Sequence, residues 1–466
     1  MCIMTMTLQA DYMRAFKDAD IRGIYPTEID EELAYLIARA FVEEFKYSKI
    51  IVARDMRLST QVLYEAFLKG ATDSGATVVD IGMVHTPALY FASGSMNLPG
   101  VMITASHSPK QYNGFKLVHA GAIPLTEKAG LGKIRNRIEK GKFIDAEKSG
   151  KINGKEILKA YQRFVFKNYK AKKLAGIKIV ADVGNGMASV LMPLLQEKLP
   201  IQFDVLFPEL DGSFPNRESD PTLHVNQNPL REQLEKKTYD FGIAFDGDSD
   251  RVAFLDEVGH YINSAVIGAL IAERMLAKEP KAKIGYTSLT SRSYEESILR
   301  AGGKPVLMRV GHAFIKADMR KKDVLFACEH SGHFYFKNYF YTDSVTLTLL
   351  AVLDAYSEAE AKGMKFSEMM APYLKYEQTE DVIVAVKDKE LALEKTEAYI
   401  LSLNPVSSKQ FDGLMVDFGE VWGAVKISVT EFALKLMFES TDRKKAQAMQ
   451  NKIVKFIKSI AKDSRE

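Results

Sequence analysis

The sequence is poor in cysteine. Cys2 and Cys328 are the only two in 466 residues, too few for a disulfide framework, so the expected setting is a reducing cytoplasm. It also lacks any apolar run long enough to span a bilayer. Met1 to Gln9 carry neither the basic start nor the cleavage site of a signal peptide. No block or stripe of Lys and Arg occurs, and the net charge of +3 is dispersed. Nucleic acid and membrane surfaces are therefore not expected partners. No G-x-S-x-G elbow is present, which argues against a hydrolase triad. What remains is an ordinary globular composition, 47% hydrophobic and 26% charged, in a chain long enough for several domains.

The densest chemistry lies in Phe241-Gly-Ile-Ala-Phe-Asp-Gly-Asp-Ser-Asp-Arg251. Phe241 to Phe245 is too short for a helix and runs straight into Asp and Gly, so it reads as a buried strand entering a tight loop. Asp246, Asp248 and Asp250 are spaced by two. In an extended segment alternate side chains share one side, with Gly247 and Ser249 as small spacers that let the backbone turn. Converging carboxylates repel one another unless a cation joins them. All-oxygen ligands suit a hard divalent ion, most often Mg²⁺ with a phosphate as further ligand. A calcium EF-hand does not fit: Arg251 stands where its loop needs Gly, although Glu257 falls at the twelfth position.

Three segments share the order strand, polar loop, helix, Gly-marked turn, strand, the form of a βαβ unit. They start at Ile50, Ile177 and Lys283, with helices over Thr60 to Ser74, from after the loop Asp182-Val-Gly-Asn-Gly186 to Lys198, and Arg292 to Arg300. A polar, Gly-rich stretch from Lys140 to Gly154 reads as a linker, followed by a helix over Glu156 to Tyr169. Past about Tyr373 the order changes to strand (Asp381 to Val386), helix (Lys389 to Ser402), strands (Gly413 to Glu439) and a closing helix (Asp442 to Ile460), an α+β pattern. The expected domains are 1–150, 151–257, 258–372 and 373–466.

Each domain offers one polar loop. In Val101-Met-Ile-Thr-Ala-Ser-His-Ser-Pro109 an apolar strand breaks at Ser106. That is a place for a nucleophile needing a base, a metal or an attached phosphoryl group, or simply a turn. His107 reads as a poor base for Ser106, since sequence neighbours diverge. After the strand Val324 to Ala327, Glu329, Ser331 and His333 alternate and suit sugar hydroxyls. Zinc on Cys328, His330 and His333 is a weaker alternative, lacking a fourth ligand. In Trp422 to Thr430, Lys426, Ser428 and Thr430 alternate, either as a phosphate cradle or as the wet face of an edge strand.

With these residues in view, the chain resembles the α-D-phosphohexomutases, the phosphomannomutase/phosphoglucomutase superfamily, from about Asp20 to the C-terminal helix. The resemblance rests on Asp20-Ile-Arg-Gly23, Ala53-Arg-Asp-Met-Arg-Leu-Ser59, Thr104-Ala-Ser-His-Ser-Pro109, Asp211-Gly-Ser-Phe-Pro-Asn216, Asp246 to Arg251, Gly311-His312 and Glu329-His-Ser-Gly-His333, in that order. It implies three related α/β domains and a C-terminal α+β domain around a central cleft. Ser106 would carry the phosphoryl group and, with Asp246, Asp248 and Asp250, bind one Mg²⁺. Arg251 would hold the phosphoserine, with His107 nearby and Lys116 or His312 moving protons. Arg22, Arg292, Glu329, Ser331, His333, Lys426, Ser428 and Thr430 would bind a phosphosugar. The implied reaction interconverts hexose 1-phosphate and 6-phosphate (mannose and/or glucose), with hexose 1,6-bisphosphate as activator, in a cytoplasmic monomer or small homo-oligomer. Phosphoglucosamine mutase, a haloacid-dehalogenase-like phosphatase and a weak sugar-phosphate binder are the alternatives.

The chain also departs from the family pattern. Lys426, Val429 and Phe432 replace the usual Arg, Asn and Pro of the phosphate loop. Leu289 stands where many relatives carry a basic residue. Cys328 and His330 occupy positions where the sugar loop more often begins with Gly and has Met. A lysine cannot copy the bidentate fork of arginine, so a weaker grip on phosphate is expected, with Arg292 or Arg309 as possible compensation.

Overall fold

The structure, a computed structural model, describes residues 12–167, 169, 174–428 and 432–463. Two compact units emerge. One runs to Ile262 and resumes over Ser331–Ser367; the other comprises Asn263–His330 and the chain from Glu368 onward.

The first unit is built on two sheets. In one, the strand order is Ile21–Ile24, Tyr112–His119, Gly100–Ile103, Lys49–Arg54, Thr77–Met83 and Ile152–Gly154. The expected βαβ unit is present: Lys49–Arg54 and Thr77–Met83 pair in parallel across the helix Thr60–Asp73. That helix buries Leu63, Tyr64, Phe67, Leu68 and Ala71, a stripe at helical spacing. Phe67 stacks on Phe115 with ring centroids 5.7 Å apart. The sequence reads Lys140 to Gly154 as a linker, but its end is an edge strand: Ile152 pairs with Val78, and the Gly150 N–H donates to the Thr72 carbonyl at 2.8 Å. A Cβ on Gly150 would stand 1.9 Å from the Ala76 carbonyl oxygen, so the glycine serves close approach there. The following helix is shorter than expected, Leu158–Phe166.

The other sheet is ordered Tyr261–Ile262, Val252–Leu255, Phe241–Phe245, Lys178–Asp182 and Gln202–Leu206. The last three are parallel, while Val252–Leu255 returns antiparallel to Phe241–Phe245. All five residues of Phe241–Phe245 are buried, and Phe241 stacks on Phe366 at 4.4 Å. The strand is thereby fixed as a core element whose C-terminal end delivers the acidic loop.

In the second unit, Lys304–Met308, Lys283–Thr287 and Phe326–Cys328 form a parallel sheet with the helices Ser264–Lys278, Arg292–Arg300 and His312–Lys322. The remainder is the expected α+β segment. Its antiparallel sheet is ordered Glu377–Gln378, Ala433–Ser440, Val421–Ile427, Leu414–Asp417 and Ser407–Gln410. The helices Lys389–Ser402 and Arg443–Asp463 enclose a core that includes Ile400, Val425, Leu436, Phe438 and Ile453. Among the described residues, no helix is long and apolar enough to cross a membrane.

Candidate active site

The acidic triad converges, though not by strand alternation. The chain leaves extended geometry after Phe245, and Ser249 takes the left-handed conformation at φ 57°, so a tight turn swings the carboxylates together. One oxygen from each of Asp246, Asp248 and Asp250 lies within 4.8 Å of the others, all three residues being buried. Asp246 Oδ1 closes the turn by accepting the Asp250 and Arg251 N–H groups at 3.0 and 3.1 Å. Gly247 is locked by its N–H to Ser219 Oγ (2.8 Å) and by its carbonyl accepting from Met187 N (2.8 Å). Arg217 reaches Asp182 Oδ2 at 2.8 Å and the Phe245 carbonyl at 2.8 Å, holding the strand end.

Cations and donors from distant segments meet the triad. Lys116 Nζ donates to Asp248 Oδ2 at 2.7 Å and also pairs with Asp250. His333 Nε2 lies 3.2 Å from Asp250 Oδ1, and Thr86 Oγ1 donates to Asp248 Oδ2 at 2.5 Å. Burial and the two neighbouring aspartates push the Asp246 carboxyl well up. Burial would do the same to Asp250, but Lys116, His333 and Arg251 outweigh it and hold Asp250 well below the carboxylate range. Burial opposes the charge on Lys116 too, yet Asp248 and Asp250 raise it, so it stays an ammonium.

Ser106 is buried, with a left-handed φ of 52°. Its Oγ donates to Asp246 Oδ2 at 2.8 Å, and its N–H donates to Thr104 Oγ1 at 2.9 Å. The sequence places His107 away from Ser106, but the positive φ turns the two side chains together, with His107 Nδ1 3.4 Å from Ser106 Oγ. Arg251 lies 3.4 Å from His107 Nε2 and 3.4 Å from Asp220. Burial, Arg251 and Arg22 hold the His107 imidazole well below its ordinary range, so it is neutral. Arg22 bonds Asp20 (2.5 Å) and Ser108 Oγ (3.0 Å). Ser331 Oγ and His333 Nδ1 are 2.9 Å apart. Ser106, His107, Lys116, Arg251, the triad, Arg22 and His333 thus form one constellation within one unit.

The other expected residues lie in the second unit. His312 opens the helix His312–Lys322, and Glu329 accepts the Gly311 N–H at 3.2 Å. Lys426 is not on the wet face of an edge strand. Val421–Ile427 lies between two other strands, and Lys426 is 2% exposed and paired with Asp412. Asp412 also accepts the Val310 N–H at 2.9 Å and lies 3.5 Å from Arg309 Nε. Burial lowers the Lys426 ammonium, and Asp412 partly restores it. Ser428 is buried, while Val429 and Thr430 lie outside the described residues. Arg292 pairs with Asp417 at 2.6 Å and lies over the Trp422 ring at 4.4 Å. Leu289 packs with Val310, Ala424 and Met437, an apolar contact where the family resemblance leads one to expect a cation. Cys328 is a buried free thiol, raised by burial. Among the described residues, the aspartate triad alone forms a metal-holding group of this kind. Sequence reasoning assigned no role to Arg57, Thr86, Arg217, Ser219 or Asp412. Only Arg57 and Asp211 to Asn216, just before Arg217, fell in motifs it had singled out.

The triad fits a hard divalent cation. Its donors are carboxylate oxygens, and Asp248 Oδ1 is buried without a hydrogen bond, a costly state that a cation would relieve. A serine hydroxyl against a desolvated acidic cluster, ringed by Lys, Arg and His on tandem α/β domains, defines a phosphoryl-transfer enzyme.

Comparison with known proteins agrees. Family models described as phosphoglucomutase/phosphomannomutase, alpha/beta/alpha domains I, II and III, match residues 13–145, 159–259 and 263–376. The chain is 33% identical over 428 residues to the phosphohexose mutases of Xanthomonas campestris pv. campestris, covering 91% of this chain and 95% of that one. It is 33% identical over 463 residues to the phosphomannomutase/phosphoglucomutase of Pseudomonas syringae pv. tomato, covering 96% of each. A crystal structure of a phosphoglucomutase/phosphomannomutase family protein from Burkholderia thailandensis superposes with a TM-score of 0.86 at 28% identity, covering 96% of this chain and 98% of that one. The chain belongs to the phosphoglucomutase/phosphomannomutase family, and is an isomerase of the phosphohexomutase type.

Proposed function

We propose that this chain interconverts hexose 1-phosphates and hexose 6-phosphates, of mannose and/or glucose, with Ser106 as phosphoryl carrier and a hexose 1,6-bisphosphate as intermediate and activator. The observation that carries the reading is the 2.8 Å hydrogen bond from Ser106 Oγ to Asp246 in the buried triad; a phosphoryl group on that Oγ would stand beside the carboxylates proposed to hold the cation. Asp246, Asp248, Asp250 and Ser106 would hold Mg²⁺, which supplies positive charge to the transferring group.

In the forward half-reaction the bond from phosphorus to Ser106 Oγ breaks, and a bond forms to the free hydroxyl of the hexose phosphate. The hydroxyl proton leaves and Ser106 Oγ regains one. Lys116, held as an ammonium by Asp248 and Asp250, is suited to stabilise or protonate the departing serine oxygen. Neutral His107, 3.4 Å from Oγ, is suited to accept the proton when Ser106 attacks the reoriented bisphosphate. Arg251 and Arg22 supply fixed positive charge around the phosphoserine. His312 is the further candidate for moving the substrate proton. Glu329, Ser331 and His333 are read as sugar contacts, and Lys426, Ser428, Thr430 and Arg292 as contacts of the phosphate that does not react. The division of labour we read along the chain is a phosphoserine-loop segment (1–150), a metal segment (151–257), a sugar segment (258–372) and a phosphate segment (373–466).

The test is turnover of glucose, mannose and glucosamine 1-phosphates side by side, with and without hexose 1,6-bisphosphate. We expect conversion to a 6-phosphate, stimulated by the bisphosphate, without net inorganic phosphate. Phosphate release as the main reaction, or no turnover of all three, would overturn the reading.

A further inference from the structure

Arg57 is a buried cation of the first unit that the proposed chemistry leaves unused. Its side chain is 0% exposed. Nη2 donates to the carbonyls of Ser106 (2.7 Å) and Ser108 (2.6 Å), and Nη1 to those of Pro109 (2.9 Å) and Tyr112 (3.0 Å). Its own place is set by Asp55. Oδ2 lies 3.4 Å from Arg57 Nε, and Oδ1 accepts both the Arg57 N–H (3.0 Å) and Thr60 Oγ1 (2.7 Å) at the start of the helix Thr60–Asp73. On its other side the guanidinium lies 5.1 Å from the Phe214 ring, and a Cβ on Gly212 would come within 2.6 Å of Arg57 Cα.

The flanking strands, Gly100–Ile103 and Tyr112–His119, are tied by the sheet ladder. Between them the chain must leave the ladder, and a buried carbonyl that does so needs a donor. From one planar group Arg57 donates to the carbonyls of Ser106, Ser108 and Pro109 in that stretch and to that of Tyr112 where the next strand begins. Ser106 sits in a conformation that L-residues disfavour and that persists only where its surroundings over-determine it. The Ser106 backbone has three restraints, the Arg57 bond, the Ser219 Oγ bond to the same carbonyl (3.0 Å) and its own N–H to Thr104 Oγ1. Of these three, only Arg57 continues along the loop, where Arg22 also donates to Ser108 Oγ (3.0 Å) and the Tyr25 N–H to the Gln111 carbonyl (2.9 Å). A lysine cannot replace it, because its three N–H groups radiate from one atom and cannot span the four carbonyls.

We propose that Arg57 is the positioning residue of the reaction, holding the Ser106 to Tyr112 loop so that Ser106 Oγ faces Asp246. This rests on the reading of Ser106 as phosphoryl carrier. Arg57 acts on backbone carbonyls, so its loss should lower the rate of transfer and leave substrate affinity alone.

The experiment uses the full chain with Arg57→Lys and Arg57→Ala, measuring kcat and KM for glucose 1-phosphate with bisphosphate present. Amide exchange along residues 49–54 and 104–112 is measured in the same samples. For Arg57→Lys we expect kcat to fall about 100-fold, the scale of a 1 Å misplacement, with KM within about twofold and exchange protection lost from the loop alone. For Arg57→Ala, added guanidinium ion should restore part of kcat while leaving wild type unstimulated. Lysine matching arginine in kcat, a rise in KM at constant kcat, unchanged loop protection, or failure of Arg57→Lys to fold would each overturn the proposal. If wild type turns over no hexose phosphate, the mutase reading falls, and the exchange pattern still decides whether Arg57 holds the loop.

Discussion

Lys426 shows how one residue can be legible in kind and illegible in setting. Its departure from the relatives' arginine was readable, and so was the expectation of a weaker grip on phosphate. Its burial and its pairing with Asp412 were not, because Asp412 lies in a different hairpin loop and nothing in Lys-x-Ser-x-Thr names it. The pairing sharpens a prediction. A lysine engaged by Asp412 has its remaining donors on the same atom, whereas an arginine can face Asp412 with one edge and a phosphate with the other. Lys426→Arg should therefore lower the KM for hexose phosphates by up to about tenfold, if one charged hydrogen bond worth about 1.5 kcal/mol is gained. Lys426→Ala should raise KM and lower kcat, since binding energy from the non-reacting phosphate helps position the sugar. Initial-rate kinetics on the three proteins check this, and equal constants would place the phosphate contact elsewhere.

At the scale of the element, the acidic turn is tuned by what cannot fit in it. A Cβ on Gly247 would stand 2.7 Å from Ser219 Oγ and 2.8 Å from the Ser106 carbonyl oxygen. The hydroxyl can rotate away, but the carbonyl belongs to the serine loop and moves only with it. Gly247→Ala should thus displace Ser106 relative to the triad and cut kcat by roughly 10- to 100-fold, with far-UV circular dichroism unchanged. Wild-type turnover in that variant would mean that the two loops tolerate relative movement. Other element boundaries were readable from an unbroken apolar run or from flanking turn residues. The strand Phe241–Phe245 and the helix Lys389–Ser402 lie where their patterns place them. The turn after Phe245 did not follow the period-two reading, because a left-handed Ser249 reverses the chain and alternation ceases to describe which way a side chain points.

At the scale of the whole molecule, the triad gathers three buried carboxyl groups, of which Lys116 pairs with Asp248 and Asp250. A cation that binds the folded chain and not the unfolded one adds stability by mass action. Mg²⁺ at about 100 times its dissociation constant should add about 2.7 kcal/mol to the part of the molecule that carries the triad. Thermal unfolding with Mg²⁺ or with excess chelator should therefore show a transition that moves up with the metal. Asp248→Asn should weaken that movement and the Mg²⁺ dependence of turnover together. A transition indifferent to Mg²⁺, with full activity in chelator, would remove the metal from the site.

Local pattern by itself determined the βαβ succession, the buried strand behind the acidic loop, the α+β character of the C-terminal part and the order of the motifs. Each of these depends on side chains a few positions apart, which strand and helix periods relate directly. Tertiary structure decided which groups meet. Ser106 and Asp246 are 140 positions apart, and Lys116 and Asp248 132. Arg57 reaches Ser106 across 49. Those meetings depend on sheet order, on register and on two left-handed residues, Ser106 and Ser249. A carboxylate or guanidinium in the sequence states its charge and reach, but its partner is set by where the folded backbone brings a second group within about 3 Å of it.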